Sequence, residues 1–92
     1  DLEVDTDKCL VLLNGEEVHL TATEYKLLCY LIENRGRIVT KAMLLEQLWD
    51  MDGNFVDENT IRVNIKRLRQ KLNDDKQEYI VTVFGMGYTF GE

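Results

Sequence analysis

Along the first twenty residues, apolar and polar positions alternate in short runs: Leu2-Glu3-Val4-Asp5, then Cys9-Leu10-Val11-Leu12-Leu13, then Val18-His19-Leu20. Asp5-Thr6-Asp7 and Asn14-Gly15 separate them, so the pattern predicts three short antiparallel strands, with Asn14-Gly15 as a hairpin turn. The period changes at Thr21. Thr21-Ala22-Thr23-Glu24 has the form of a capping box, with Leu20 and Tyr25 placed for a hydrophobic staple. Tyr25, Leu28, Leu31 and Ile32 then recur at helical spacing until Asn34-Arg35-Gly36, where Gly36 supplies a left-handed stop.

Ile38-Val39 reads as a short extended piece, followed by Thr40 as the cap of a second helix with Met43, Leu44, Leu48 and Trp49 on its apolar face. Residues Asp50–Val56 contain Gly53-Asn54 and no helical period, which predicts a loop. A third helix is expected from Asp57, with the stripe Ile61, Ile65, Leu68, Leu72 stepping by four, three and four. Tyr79–Phe84 and Tyr88–Phe90 are rich in β-branched and aromatic residues, and Gly85-Met86-Gly87 between them makes a hairpin. Three helices followed by a hairpin, preceded by an antiparallel sheet, is the order of an α+β winged helix-turn-helix.

Composition narrows the possibilities further. The chain has 92 residues, 45% hydrophobic and 30% charged, which suits one small globular domain over residues 1–92. Its net charge of −6 excludes a surface that is basic throughout, so any site for nucleic acid must be local. Within residues 59–73 there are five basic residues and no acid. No apolar run approaches the roughly 18 residues of a membrane span, and no secretion signal opens the chain, which predicts a cytoplasmic protein with no membrane partner. Cys9 and Cys29 lie too far apart for a metal knuckle and each sits in an apolar stretch, so buried, reduced thiols are expected.

With the apolar stripe of the third helix turned to the core, its opposite face carries Asn59, Arg62, Val63, Lys66, Arg67 and Gln70, flanked by Asn64, Arg69 and Lys71. Long cations pair with guanine, amides with adenine and a valine with the thymine methyl, so this face suits the DNA major groove. Thr60 and the flanking cations are placed for phosphates. A solvated basic face is the competing reading, and so is a winged helix that contacts protein through its acidic surface.

No catalytic residue, cofactor or metal site is expected. The acids are scattered, no nucleophile is paired with a base, and His19 has no cluster at ligand spacing. Gly85-x-Gly87 lies between two strands, where a phosphate-binding loop needs a strand and then a helix. Trp49 is expected to pack in the core or against the helix end rather than to form a ligand cage.

Four consecutive segments carry a resemblance: Leu20-Thr21-x-x-Glu24-x-x-Leu27-Leu28-x-x-Leu31; Val39-x-x-x-x-Leu44-x-x-x-Leu48-Trp49; Asn59-Thr60-Ile61-x-Val63-x-Ile65-x-x-Leu68-Arg69-x-Lys71-Leu72; and Thr82-Val83-x-Gly85-x-Gly87-Tyr88-x-Phe90. In this order they resemble the DNA-binding effector domain of OmpR/PhoB-type response regulators, over essentially the whole chain. The resemblance implies a four-stranded N-terminal sheet, a recognition helix over 58–72 in the major groove, and a wing over 79–90 at the adjacent minor groove. It implies transcription regulation in a two-component phosphorelay. An upstream receiver domain, absent from this chain, would be phosphorylated by a sensor histidine kinase and drive dimerisation on direct-repeat promoter sites, the isolated domain being a monomer.

By the same resemblance, Arg67 and Val63, with Arg62 beside them, fall at positions that reach bases. Thr60, Asn64, Arg69, Thr82 and Tyr88 fall at positions that touch phosphate or sugar. The loop Asp50, Met51, Asp52, Gly53, Asn54, Phe55, Val56 corresponds to a contact surface for RNA polymerase. Two departures stand out. Arg62-Val63-Asn64 replaces a common Asp-Val-His, and Phe84 occupies a wing position where many members carry Arg, so the wing is expected to act mainly by packing and backbone contact.

Overall fold

The computed structural model describes residues 2–52 and 57–91, the side chains of 49–52 excepted. Three short strands open the chain: β1 (Leu2–Asp5), β2 (Leu10–Leu13) and β3 (Glu16–Glu17), paired antiparallel in that order. Asn14 (φ 52°) and Gly15 (φ 86°) both adopt the left-handed backbone that a two-residue hairpin demands, which sets Leu13 opposite Glu16. The third strand therefore falls on Glu16–Glu17, earlier than the expected Val18–Leu20. Val18 only adds one bond, its amide donating to the Val11 carbonyl (2.8 Å). Among the described residues this sheet has three strands, one fewer than the resemblance implied, because the chain after Val18 turns directly into the cap of the first helix.

That helix, α1 (Ala22–Glu33), begins with the capping box in full. The Glu24 amide donates to Thr21 Oγ1 (3.1 Å), and the Thr21 amide donates to Glu24 Oε1 (3.0 Å). The helix itself ends on the Asn34 cap, and Gly36 (φ 82°) serves the turn that follows, in which the Arg37 amide donates to the Asn34 carbonyl (3.0 Å). Next come β4 (Val39–Thr40) and α2 (Lys41–Asp52), whose first turn is capped by Thr40 Oγ1 accepting from the Met43 amide (3.2 Å). The expected loop from Asp50 to Val56 needs correction: Asp50, Met51 and Asp52 are helical. Nothing before Gly53 breaks the helix, and extending one turn adds a hydrogen bond without a new nucleation cost. Gly53, Asn54, Phe55 and Val56 lie outside the described residues, as does the Trp49 side chain.

Asp57 caps α3 (Glu58–Lys71), accepting from the Thr60 amide (3.0 Å) and hydroxyl (3.1 Å). The wing follows as β5 (Ile80–Val83) and β6 (Gly87–Phe90). It pairs with β4 in a second sheet of order β4-β6-β5, which joins the wing to the start of α2. At Gly87 (φ 152°) a side chain would collide with the Val39 carbonyl oxygen, with the Thr40 Cα only 2.9 Å away, so glycine is what lets β6 lie against β4.

The core gathers the apolar faces that the periodicity marked. Leu27, Leu28 and Leu31 of α1, Leu44 and Leu48 of α2, and Ile61, Ile65 and Leu68 of α3 with Leu72 meet Val11, Val39 and Ile80. The cysteines depart from expectation. Cys9 is exposed, with φ 51° in the turn ahead of β2, because the strand starts one residue later and Cys9 completes the reversal. Cys29 is half-buried, and burial pushes its thiol pKa up. Both are free thiols.

Candidate nucleic-acid interface

Helix α3 has two chemically different sides, and the fold decides which donors are left for a ligand. Asn59, Arg62, Lys66, Arg67 and Gln70 are exposed, with Thr60 and Val63 half-buried beside them. Arg62 is 3.9 Å from Glu58 and Lys41 is 3.2 Å from the same carboxylate oxygen, so the acid of the first turn is neutralised by two cations. Such exposed pairs contribute little stability and separate readily for a stronger anion. Asp57 is likewise occupied: the bonds from Thr60 hold its carboxyl below the usual carboxylate range.

The other predicted contacts are engaged within the protein. Asn64 is buried and its Nδ2 donates to the Thr60 carbonyl one turn back (2.9 Å). The half-buried Arg69 guanidinium donates through Nε (3.1 Å) and Nη2 (2.7 Å) to the Ile80 carbonyl, and through Nη2 to Thr82 Oγ1 (2.9 Å). It also lies over the Tyr88 ring, 5.9 Å from the centroid, and Tyr88 is buried. Arg69, Thr82 and Tyr88 thus form one clamp that fixes the wing against α3. Lys71 is spent too, its ammonium donating to Glu24 Oε1 at 2.6 Å.

Two features escaped the sequence reading. One is the Glu24–Lys71 pair, which joins residues 47 apart. The other is Asp74, 4% exposed, which accepts from the backbone amides of Glu78 (2.7 Å), Tyr79 (3.0 Å) and Ile80 (2.9 Å). This carboxylate folds the connection from α3 to β5 and so sets where the wing begins. Asn73-Asp74-Asp75 did offer a signal, since Asp favours turns by bonding nearby amides.

Arg62, Lys66 and Gln70 share an open cleft of about 450 Å³ with Tyr88 of the wing and with Asp74 and Asp75 at one end. From Tyr79 to Gly91 there is no charged residue. A polyanion approaching this face meets an open row of cations on the helix and no carboxylate on the wing. His19 is elsewhere, exposed on the N-terminal side and 3.6 Å from the Glu17 carboxylate.

Comparison with known proteins places this arrangement. Residues 15–90 match the family described as "Transcriptional regulatory protein, C terminal". The chain is 41% identical over 93 residues to the uncharacterized transcriptional regulatory protein YcbL of Bacillus subtilis, covering 99% of this chain and 41% of that protein. Among solved structures it resembles the response regulator DrrB, an OmpR/PhoB homologue of Thermotoga maritima, with TM-score 0.90 and 36% identity over 100% of this chain and 42% of that one. It also resembles the Klebsiella pneumoniae RstA DNA-binding domain, solved in complex with the RstA box, with TM-score 0.82 and 33% identity over 97% and 89% of the two chains. The chain spans about two fifths of the length of the curated relatives it matches. With the three helices, the wing and the basic row all in this order, the chain belongs to the family of C-terminal, DNA-binding domains of OmpR/PhoB-type response regulators.

Proposed function

We propose that this domain binds double-stranded DNA sequence-specifically and regulates transcription as the output domain of a two-component response regulator. In this reading α3 lies in the major groove with Arg62, Val63, Lys66 and Arg67 toward base edges, and Asn59 and Thr60 toward phosphate. The wing rests over the adjacent minor groove. Arg69, Thr82 and Tyr88 serve the contact by holding wing and helix in register, Asn64 bonds back within α3, and any touch they make on the backbone is secondary. The observation that carries this reading is the exposed cationic row on α3 in a chain of net charge −6.

The rest of the regulator follows the same logic. An upstream receiver, phosphorylated by a sensor histidine kinase in the cytoplasm, would pair two such domains on direct-repeat promoter sites. The segment from Asp50 through Val56 would meet RNA polymerase, its acids Asp50 and Asp52 suiting a basic surface. The isolated domain acts as a monomer. No helix among the described residues is long and apolar enough to cross a membrane.

The experiment is a salt titration of duplex binding by the 92-residue chain. Engagement of about three to five phosphates gives a slope of log K against log salt of roughly −3 to −5. Affinity independent of salt would refute the placement of the cationic row on DNA. In that event the exposed acids of the N-terminal sheet, Glu3, Asp5, Glu16 and Glu17, would favour a protein partner instead.

A further inference from the structure

We infer that the wing tip is an apolar wedge: Phe84, with Met86 beside it, enters the minor groove and parts a base step flanking the sequence read by α3. The inference rests on the placement of α3 and the wing proposed above.

Phe84 is 92% exposed and Met86 is 54% exposed, whereas the other large apolar residues of the hairpin, Ile80, Tyr88 and Phe90, are buried. An aromatic ring left in water contributes nothing to folding through burial, so the fold has no use for it. Its position is nevertheless well defined. Thr82 is tied to Arg69 of α3, and at about 3.3 Å per strand residue Phe84 stands roughly 7 Å beyond that tie. The tip is closed by the Met86 amide donating to the Val83 carbonyl (3.0 Å), with Gly85 at φ 76° making the reversal.

The turn is narrow, since Gly85 and Gly87 flank Met86 with no side chains of their own. A minor groove about 6 Å wide and 7.5 Å deep admits a slender tip of this kind and offers no strong donor pattern to an apolar side chain. Phe and Met are side chains that unstack a step there and kink the duplex. Because the tip is uncharged, it reads deformability rather than potential, and the preferred ligand is duplex DNA with a pyrimidine–purine step, TA or CA/TG, beside the recognition sequence.

The test uses duplexes retained by the 92-residue chain from a randomised pool, with 2-aminopurine replacing the purine of the flanking step. Binding should raise the fluorescence several-fold as the base unstacks, and Phe84→Ala should abolish the rise and weaken binding about tenfold. Phe84→Trp should keep both. The salt slope should be the same in all three proteins, because no cation is gained or lost. If the wild-type chain binds without a fluorescence change, or Phe84→Ala binds as tightly and with the same flanking preference, the wedge is refuted while the placement of α3 stands. If the pool yields no retained duplex, the placement itself fails.

Discussion

The Lys71 ammonium stands 2.6 Å from Glu24 Oε1, joining the last turn of α3 to the first turn of α1. The same oxygen accepts from the Thr21 amide, so one carboxylate completes a helix cap and a bond between helices. Glu24 is 1% exposed. A buried carboxylate needs compensating donors, and here Oε1 takes one from the cap of α1 and one from the end of α3.

Stability should therefore depend on pH through this pair. Burial alone would raise the Glu24 pKa, but the Lys71 bond and the Thr21 bonds outweigh it and hold the carboxyl below its ordinary 4.5. A depressed pKa contributes stability above the ordinary value, and that stability is lost as pH falls below about 4.5 through the folded value. Lys71→Met should cost about 1–3 kcal/mol near neutrality, and the gap to the wild type should close in acid. Thermal melts of both proteins across pH 3–7 check this, and a gap independent of pH would show that the pair is not its source.

Arg69 and Arg67 should separate in their effects although they stand two residues apart. Arg69→Ala removes the clamp on Ile80 and Thr82 and should cost about 1–3 kcal/mol of stability. Arg69→Lys should recover only part of it, since an ammonium does not reproduce the forked geometry. Arg67→Ala should leave stability within about 0.5 kcal/mol and lose about 1–3 kcal/mol on preferred duplexes. Melts paired with binding isotherms decide it, and two substitutions with the same profile would contradict the division of the helix.

Asp74→Ala should strand the three amides of Glu78, Tyr79 and Ile80 and cost about 2–4 kcal/mol. Amide hydrogen exchange offers a direct readout: those three positions should lose protection ahead of the core of α1.

Gly87→Ala should be more damaging than alanine at Gly85. The first meets the Val39 carbonyl, whereas a methyl at Gly85 meets nothing within 4 Å and pays only for its positive φ. Comparing the two melting temperatures tests this, and equal losses would place the cost in backbone conformation rather than in the approach of β6 to β4.

Local patterns carried most of the fold. The Thr21–Glu24 box, the Asn14-Gly15 turn and the Ile61–Leu72 stripe each satisfy a rule contained within a few residues, and all three are present in the structure. What the sequence concealed lies in pairs far apart in the chain. Arg69 and Lys71 read as free cations on a basic helix, and nothing nearby in sequence reveals that Ile80, Thr82 and Glu24 accept their protons. Asp50–Asp52 differ in kind: they show no amphipathic period, yet the backbone there simply continues its helix. Cys9 erred by one residue at a strand boundary, which was enough to turn a buried thiol into an exposed one.

The separation of α3 into bound and unbound donors makes its outer row exchangeable. Asn59, Arg62, Lys66 and Arg67 are exposed and none of them holds the core or the wing, while Asn64, Arg69 and Lys71 are committed to their own scaffold. On the proposed placement of α3, a library randomised at those four outer positions should sample new duplex preferences at nearly constant melting temperature, since each surface substitution of this kind shifts stability by only about 0.5 kcal/mol. By the same proposed placement, duplicated copies of such a domain would be free to diverge in the duplexes they recognise without first acquiring compensating changes inside.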